Sequence, residues 1–173
     1  MESFLNKLKD ISTFIFDVDG VLTNGSVYVM ENGDQARQFN IKDGYAIQLA
    51  VKCGYNVCAI SGSRSKIAIH RLNSLGVKDV YVGAHTKSEN FRAYLEEKRV
   101  SPASVLFMGD DIPDLEVMKL AGLAVCPADA AEEIKAVSSY ISPNVGGRGA
   151  VRDVIEKVLK IQGKWMSEQA YSW

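Results

Sequence analysis

Two hydrophobic rhythms alternate along the chain. Short apolar runs at 13–17, 56–60, 79–82, 105–108 and 123–125 read as buried strands, with Tyr140-Ile141 as an edge strand. Between them lie segments with helical spacing. Asp43 is placed to cap a helix that carries Ala46, Ile47, Leu49 and Ala50, runs to about Cys53 and stops at Gly54. Ser63 or Ser65 opens the next, to Leu75; Lys87 or Ser88 opens another, to Lys98. Asp111 caps a helix to Leu120, with Pro113 tolerated in its first turn. Helices at 130–137 and 150–161 complete the series, and 1–12 forms a short amphipathic lead-in. Asn32-Gly33 between the strand-like stretches 27–30 and 35–39 is a hairpin signal. Strands alternating with helices predict an α/β fold: a three-layer, Rossmann-like parallel sheet with right-handed crossovers and a β-hairpin inserted after the first strand.

Composition narrows the class without naming a chemistry. The 173 residues suit one domain, 1–173, with a full core. A net charge of -1 supplies no basic field for nucleic acid. No apolar run is long enough to span a bilayer, and the first ten residues lack the apolar stretch of a signal peptide, so a cytoplasmic protein is expected. Cys53, Cys58 and Cys126 have no metal-ligand spacing and read as thiols in a reducing compartment. With only two histidines, His70 and His85, a His-rich zinc site is not expected. Gly146-Gly147-Arg148-Gly149 reads as a flexible loop.

Candidate chemistry sits where strands end. The first strand runs into Asp17-Val18-Asp19-Gly20, the second into Ser61-Gly62, and the fourth into Gly109-Asp110-Asp111, with Asp114 three residues on; Lys87 opens a helix. Singly, these are turn, cap and solvated-face residues. In a parallel sheet, however, strand ends share one edge, so the groups can converge. Two close carboxylates need a cation or a shared proton. Hard oxygen ligands such as Asp17 and Asp110 suit Mg²⁺, Ser61 suits a phosphate oxygen and Lys87 suits developing negative charge. Asp17 can then attack phosphorus, with Asp19 exchanging the proton.

The set resembles the haloacid dehalogenase superfamily of phosphatases. Asp17-Val18-Asp19-Gly20-Val21-Leu22-Thr23 matches its first motif, Ser61 the second, Lys87 the third, and Gly109-Asp110-Asp111 with Asp114 the fourth. The resemblance implies Asp17 as nucleophile and Asp19 as general acid/base. It implies Mg²⁺ held by Asp17, the backbone carbonyl of Asp19, and Asp110, with Asp111 and Asp114 in support. No insert of cap-domain size interrupts the chain. The whole is similar to the short, capless 3-deoxy-D-manno-octulosonate 8-phosphate phosphatases, whose substrate loop resembles Phe39-Asn40-Ile41-Lys42-Asp43-Gly44-Tyr45. That implies a phosphorylated sugar acid as substrate. Thr23, Asn40, Ile41, Lys42, Asp43, Gly44, Arg64 and Arg71, with Asp19 and Lys87, are then expected around it. It also implies a homotetramer in which hairpins form a central barrel and a neighbouring subunit helps close each site.

One feature departs from that family: Ser63 stands where an arginine often follows the Ser/Thr-Gly pair, and Arg64 comes next. This leaves the substrate open between the eight-carbon acid and 2-keto-3-deoxy-nononate 9-phosphate or another sialic-acid-type 9-phosphate. Arg71 fits a sugar-acid carboxylate, which arginine binds bidentately. A phospho-acceptor, receiver-like binding module and an inactive oligomerisation scaffold are the readings from other classes.

Overall fold

The computed structural model describes residues 4–64 and 66–172. Ser65, one of the two candidate starts for the third helix, lies outside them. The central sheet is built from β1 (Thr13–Phe16), β4 (Asn56–Ile60), β5 (Asp79–Tyr81), β6 (Val105–Met108), β7 (Leu123–Cys126) and β8 (Tyr140–Ile141). Their order is β5-β4-β1-β6-β7-β8, and every pairing is parallel. Separate from it, β2 (Tyr28–Val29) and β3 (Gln35–Ala36) form an antiparallel hairpin.

Both faces of the sheet are covered, which is why its strands read as unbroken apolar runs. Side chains alternate between two cores. Phe14, Phe16, Val57, Ala59, Leu106, Met108, Leu123 and Val125 face α2 (Ile41–Lys52) and α7 (Ala150–Ile161). Ile15, Cys58, Ile60, Val105, Phe107, Ala124 and Cys126 face α4 (Lys87–Lys98), α5 (Leu115–Leu120) and α6 (Glu132–Val137). The lead-in contains α1 (Phe4–Lys7), and α3 (Ile67–Asn73) follows β4.

Several boundaries differ from expectation for local reasons. Asn40, not Asp43, caps α2: its Oδ1 accepts from the amides of Lys42 and Asp43 at 2.8 and 3.3 Å. Asp43 lies inside the helix and caps a different one. Its carboxylate accepts from Gly149 N at 3.0 Å and Arg152 N at 2.7 Å, at the start of α7. The hairpin ladder is shorter than 27–30 and 35–39, because a two-stranded ribbon with exposed side chains has no third strand to extend it. Its turn falls at Asn32-Gly33, where Gly33 has φ 85°. The helix expected from Asp111 begins as a 3₁₀ turn, Ile112–Asp114, and Asp111 Oδ1 accepts from Ile112 N at 2.8 Å.

Register then sets the site. Phe16 lies beside Ala59 on one side and Met108 on the other. Asp17, Ser61 and Gly109 therefore leave the sheet at one edge, and Asp17 N donates to Met108 O at 3.0 Å.

Candidate active site

At that edge lies a cavity of about 340 Å³, bordered by Asp17, Asp19, Ser61, Ser63, Lys87, Asp110, Asp111 and Asp114. The sequence-predicted carboxylates, hydroxyl and lysine thus share one space. Lys87, the first residue of α4, reaches both Asp17 Oδ1 and Asp114 Oδ1 at 2.7 Å. All three residues are buried. Asp114 also accepts from Asp110 N at 3.1 Å through Oδ2, so both its oxygens are engaged. Ser61 Oγ accepts from Ser63 N at 3.1 Å, and Ser61 N donates to Tyr81 O at 2.8 Å, which fixes this hydroxyl at the rim.

Close packing forces the carboxylates together. Gly20 has φ 91°, and the Asp110 carboxylate occupies the space where a side chain at residue 20 would stand. At Gly109 the Asp114 carboxyl group fills the equivalent space. Burial pushes the Asp17 carboxyl above its usual range, and the nearby Asp114 adds to this against the opposing pull of Lys87. Burial also pushes Asp110 up, reinforced by Asp17 and Asp114. Burial works against the charge of Lys87, but Asp17 and Asp114 outweigh it and raise its pKa.

The donor set fits a divalent ion. Oxygens of Asp17, Asp110 and Asp114 lie within 4.8 Å of one another. Asp110 Oδ1 is buried without a hydrogen-bond partner. Such an orphaned carboxylate oxygen is costly unless a cation or proton meets it. The Asp19 carboxylate points elsewhere: Arg37 Nε donates to its Oδ1 at 2.6 Å. In the sequence no motif or period marks Arg37.

The remaining predicted residues divide. Thr23 is fully buried and holds the loop, its Oγ1 accepting from Gly20 N and Gly25 N at 3.3 Å, so it does not line the cavity. Asp43 and Gly44 are buried in α2 and face the α7 cap and Arg71, not the carboxylates. Asn40, Ile41 and Lys42 border a second cleft with Gly147 and Arg148. Arg64 is exposed beside the hairpin, within 3.4 Å of His85 Nε2. Arg71 is half-buried over Gly44. Within this chain, neither arginine joins the acidic cavity.

The loop read as flexible is instead packed. A side chain at Gly146 or Gly147 would strike the backbone of Gly20 or of Thr23 and Asn24. Gly147 N donates to Val21 O at 2.9 Å, and Gly146 N to Asp129 Oδ1 at 2.9 Å. This loop braces the carboxylate loop from behind.

A parallel α/β sheet whose carboxyl edge gathers buried aspartates, a lysine and a serine defines a protein built for phosphoryl chemistry. The chain belongs to the haloacid dehalogenase-like hydrolase family, whose model matches residues 64–155. It is 38% identical over 160 residues to the 3-deoxy-D-manno-octulosonate 8-phosphate phosphatase KdsC of Salmonella typhi, covering 92% of this chain and 85% of that one. The structure superposes with a TM-score of 0.89 on the phosphatase of that name from Moraxella catarrhalis, solved with magnesium, phosphate and KDO. Identity there is 31%, over 92% of this chain and 91% of the other. A cobalt-bound phosphatase from Haemophilus influenzae matches with a TM-score of 0.89 and 29% identity, over 95% and 94% of the two chains.

Proposed function

We propose that this chain is a Mg²⁺-dependent phosphatase that hydrolyses 3-deoxy-D-manno-octulosonate 8-phosphate through an aspartyl-phosphate on Asp17. The observation that carries the reading is Asp17 held at 2.7 Å from Lys87, beside the unpartnered oxygen of Asp110, in a family whose relatives act on this substrate. Asp17 and Asp110, with the backbone carbonyl of Asp19, would hold the ion; when bound, it screens the phosphate charge from the nucleophile.

Asp17 attacks phosphorus, the bond from phosphorus to the sugar oxygen breaks, and Asp19 gives that oxygen a proton. Water then attacks the aspartyl-phosphate, returning a proton to Asp19 and freeing Asp17. Ser61 and Lys87 bind the phosphoryl oxygens throughout, and Asp111 and Asp114 keep the loop and Lys87 in place.

We further read residues 1–173 as one domain and the enzyme as a cytoplasmic homotetramer. Buried Cys58 and Cys126, with pKa values raised by burial, suit a reducing compartment. The hairpin exposes Tyr28, Val29 and Met30 on both of its sides, as apolar surface suited to further copies of the chain. In that assembly, Asn40, Ile41 and Lys42 at the start of α2, with Arg64 and Arg71, would approach a substrate shared with a neighbour, and Thr23, Asp43 and Gly44 would act by shaping the elements around it.

The test is a kcat/KM ranking of phosphorylated eight- and nine-carbon keto-acids, with Mg²⁺ and after EDTA. The eight-carbon 8-phosphate should rank first and EDTA should abolish release. A nine-carbon 9-phosphate ranking first would move the substrate to the sialic-acid type. Asp17→Asn should lower turnover by about 10³-fold or more with the fold intact; full activity would end the mechanism. Stoichiometric phosphorylation without turnover would favour a receiver-like module.

A further inference from the structure

Arg37 belongs to an exposed hairpin, yet its own side chain is only 5% exposed. Burying a guanidinium is costly unless it is paired and hydrogen-bonded. Here the partners are specific. Nε donates to Asp19 Oδ1 at 2.6 Å, while the second guanidinium nitrogen reaches Asp19 Oδ2 at 3.4 Å and Ser63 Oγ at 3.1 Å. The remaining nitrogen donates to Gln35 Oε1 at 3.1 Å, which ties the group to its own ribbon. One side chain therefore joins the hairpin to the loops after β1 and β4, on either side of the cavity.

We infer that Arg37 is a positioning residue: it fixes the Asp19 carboxyl group for proton exchange with the leaving oxygen. The inference rests on the reading of Asp19 as general acid/base. Asp17 is located by strand register and by Lys87. Asp19 lies one step beyond, 32% exposed, in a non-helical stretch of loop. Among the described residues, Arg37 supplies the ion pair to this carboxylate. The grip is uneven. Oδ1 is held by a short charged hydrogen bond, whereas Oδ2 at 3.4 Å is lightly held and is the oxygen left to exchange a proton. Ser63 is part of the same fit. A longer, positively charged side chain there would crowd and repel the guanidinium that its hydroxyl now receives.

The consequence is a dependence on the leaving group. An alkoxide leaves phosphorus only with a proton supplied, whereas p-nitrophenolate leaves without one. The quantity to measure is the ratio of kcat/KM for a sugar-acid or simple alkyl phosphate to kcat/KM for p-nitrophenyl phosphate. This ratio reads the enzyme up to leaving-group departure, and loss of part of the enzyme to an inactive or unfolded fraction does not move it. Arg37→Ala should lower it about 10–100-fold, the scale of a misplaced catalytic group. Arg37→Lys should recover part of the loss, since it keeps the charge but not the two-point grip. Arg37→Gln, which keeps most of the stem, repeats the comparison if the alanine variant is unfolded by circular dichroism. A ratio equal to wild type in Arg37→Ala or Arg37→Gln overturns the inference. Asp19→Asn, measured alongside, separates the two failures. If it lowers the ratio while the Arg37 variants do not, Asp19 keeps its role and Arg37 loses its own. If it leaves the ratio in place, the Asp19 reading fails and takes the positioning role with it.

Discussion

Three carboxyl groups crowd one ammonium at the cavity floor, and that imbalance has a sign in pH. Asp17 and Asp110 are raised above their ordinary value of 3.8, in each case first by burial. Without metal, the fold therefore binds protons at these two acids more tightly than the unfolded chain does, and gains stability from them. That contribution is fully present below the ordinary aspartate value and is lost as pH rises through the raised ones. A divalent ion takes the place of the protons, so it binds better as pH rises. Melting curves with and without MgCl₂ should show a larger gain in Tm at about pH 8 than at about pH 5.5. An equal gain at both values would show that these acids do not take up the ion.

Among the elements, the joints between distant segments carry the most consequence. Asp43 caps α7 from inside α2, so Asp43→Ala should cost about 1–3 kcal/mol in denaturant unfolding through the lost cap and the amides left bare. Gly146→Ala should drive a methyl group into the Gly20 backbone and shift the carboxylate loop. A fall in kcat of about tenfold or more is expected, because small displacements at a reacting centre are costly, together with a loss of about 1–3 kcal/mol of stability from the overpacking. A crystal structure of the variant with the loop unmoved would count against this account.

These joints also mark what the sequence withheld. The strands were legible because both faces of the sheet are buried, and Asp17, Ser61, Lys87 and Asp110 were legible because strand ends in a parallel sheet share an edge. Asp43 reads as the cap of α2 because Asn40 and Asp43 are both good caps, and the choice between them is settled by amides 106 and 109 residues away. Arg37 carries no periodic or motif signal; only folding the ribbon onto the cavity gives it a role. The Gly146-Gly147 pair reads by composition as flexibility, whereas its function is close approach.

For the molecule as a whole, the proposed tetramer would be built on the exposed apolar residues Tyr28, Val29 and Met30 of the hairpin. Val29→Glu should reduce the mass seen by multi-angle light scattering, since a buried like-charge ring cannot be tolerated at a symmetric contact. If the wild-type chain already runs as a monomer at micromolar concentration, the tetramer is refuted. The substitution should also lower activity on the sugar-acid phosphate if a neighbour completes the site.

β1 sits mid-sheet between partners that begin at residues 56 and 105, and α7 must arrive before Asp43 gains its amides. A nascent chain emerging from the ribosome therefore holds Phe14 and Phe16 with only α2 of their two covering helices until almost its last stretch has been translated. Premature termination anywhere before residue 150 would leave an oily, half-roofed sheet, a form suited to chaperone capture or degradation rather than to partial catalysis.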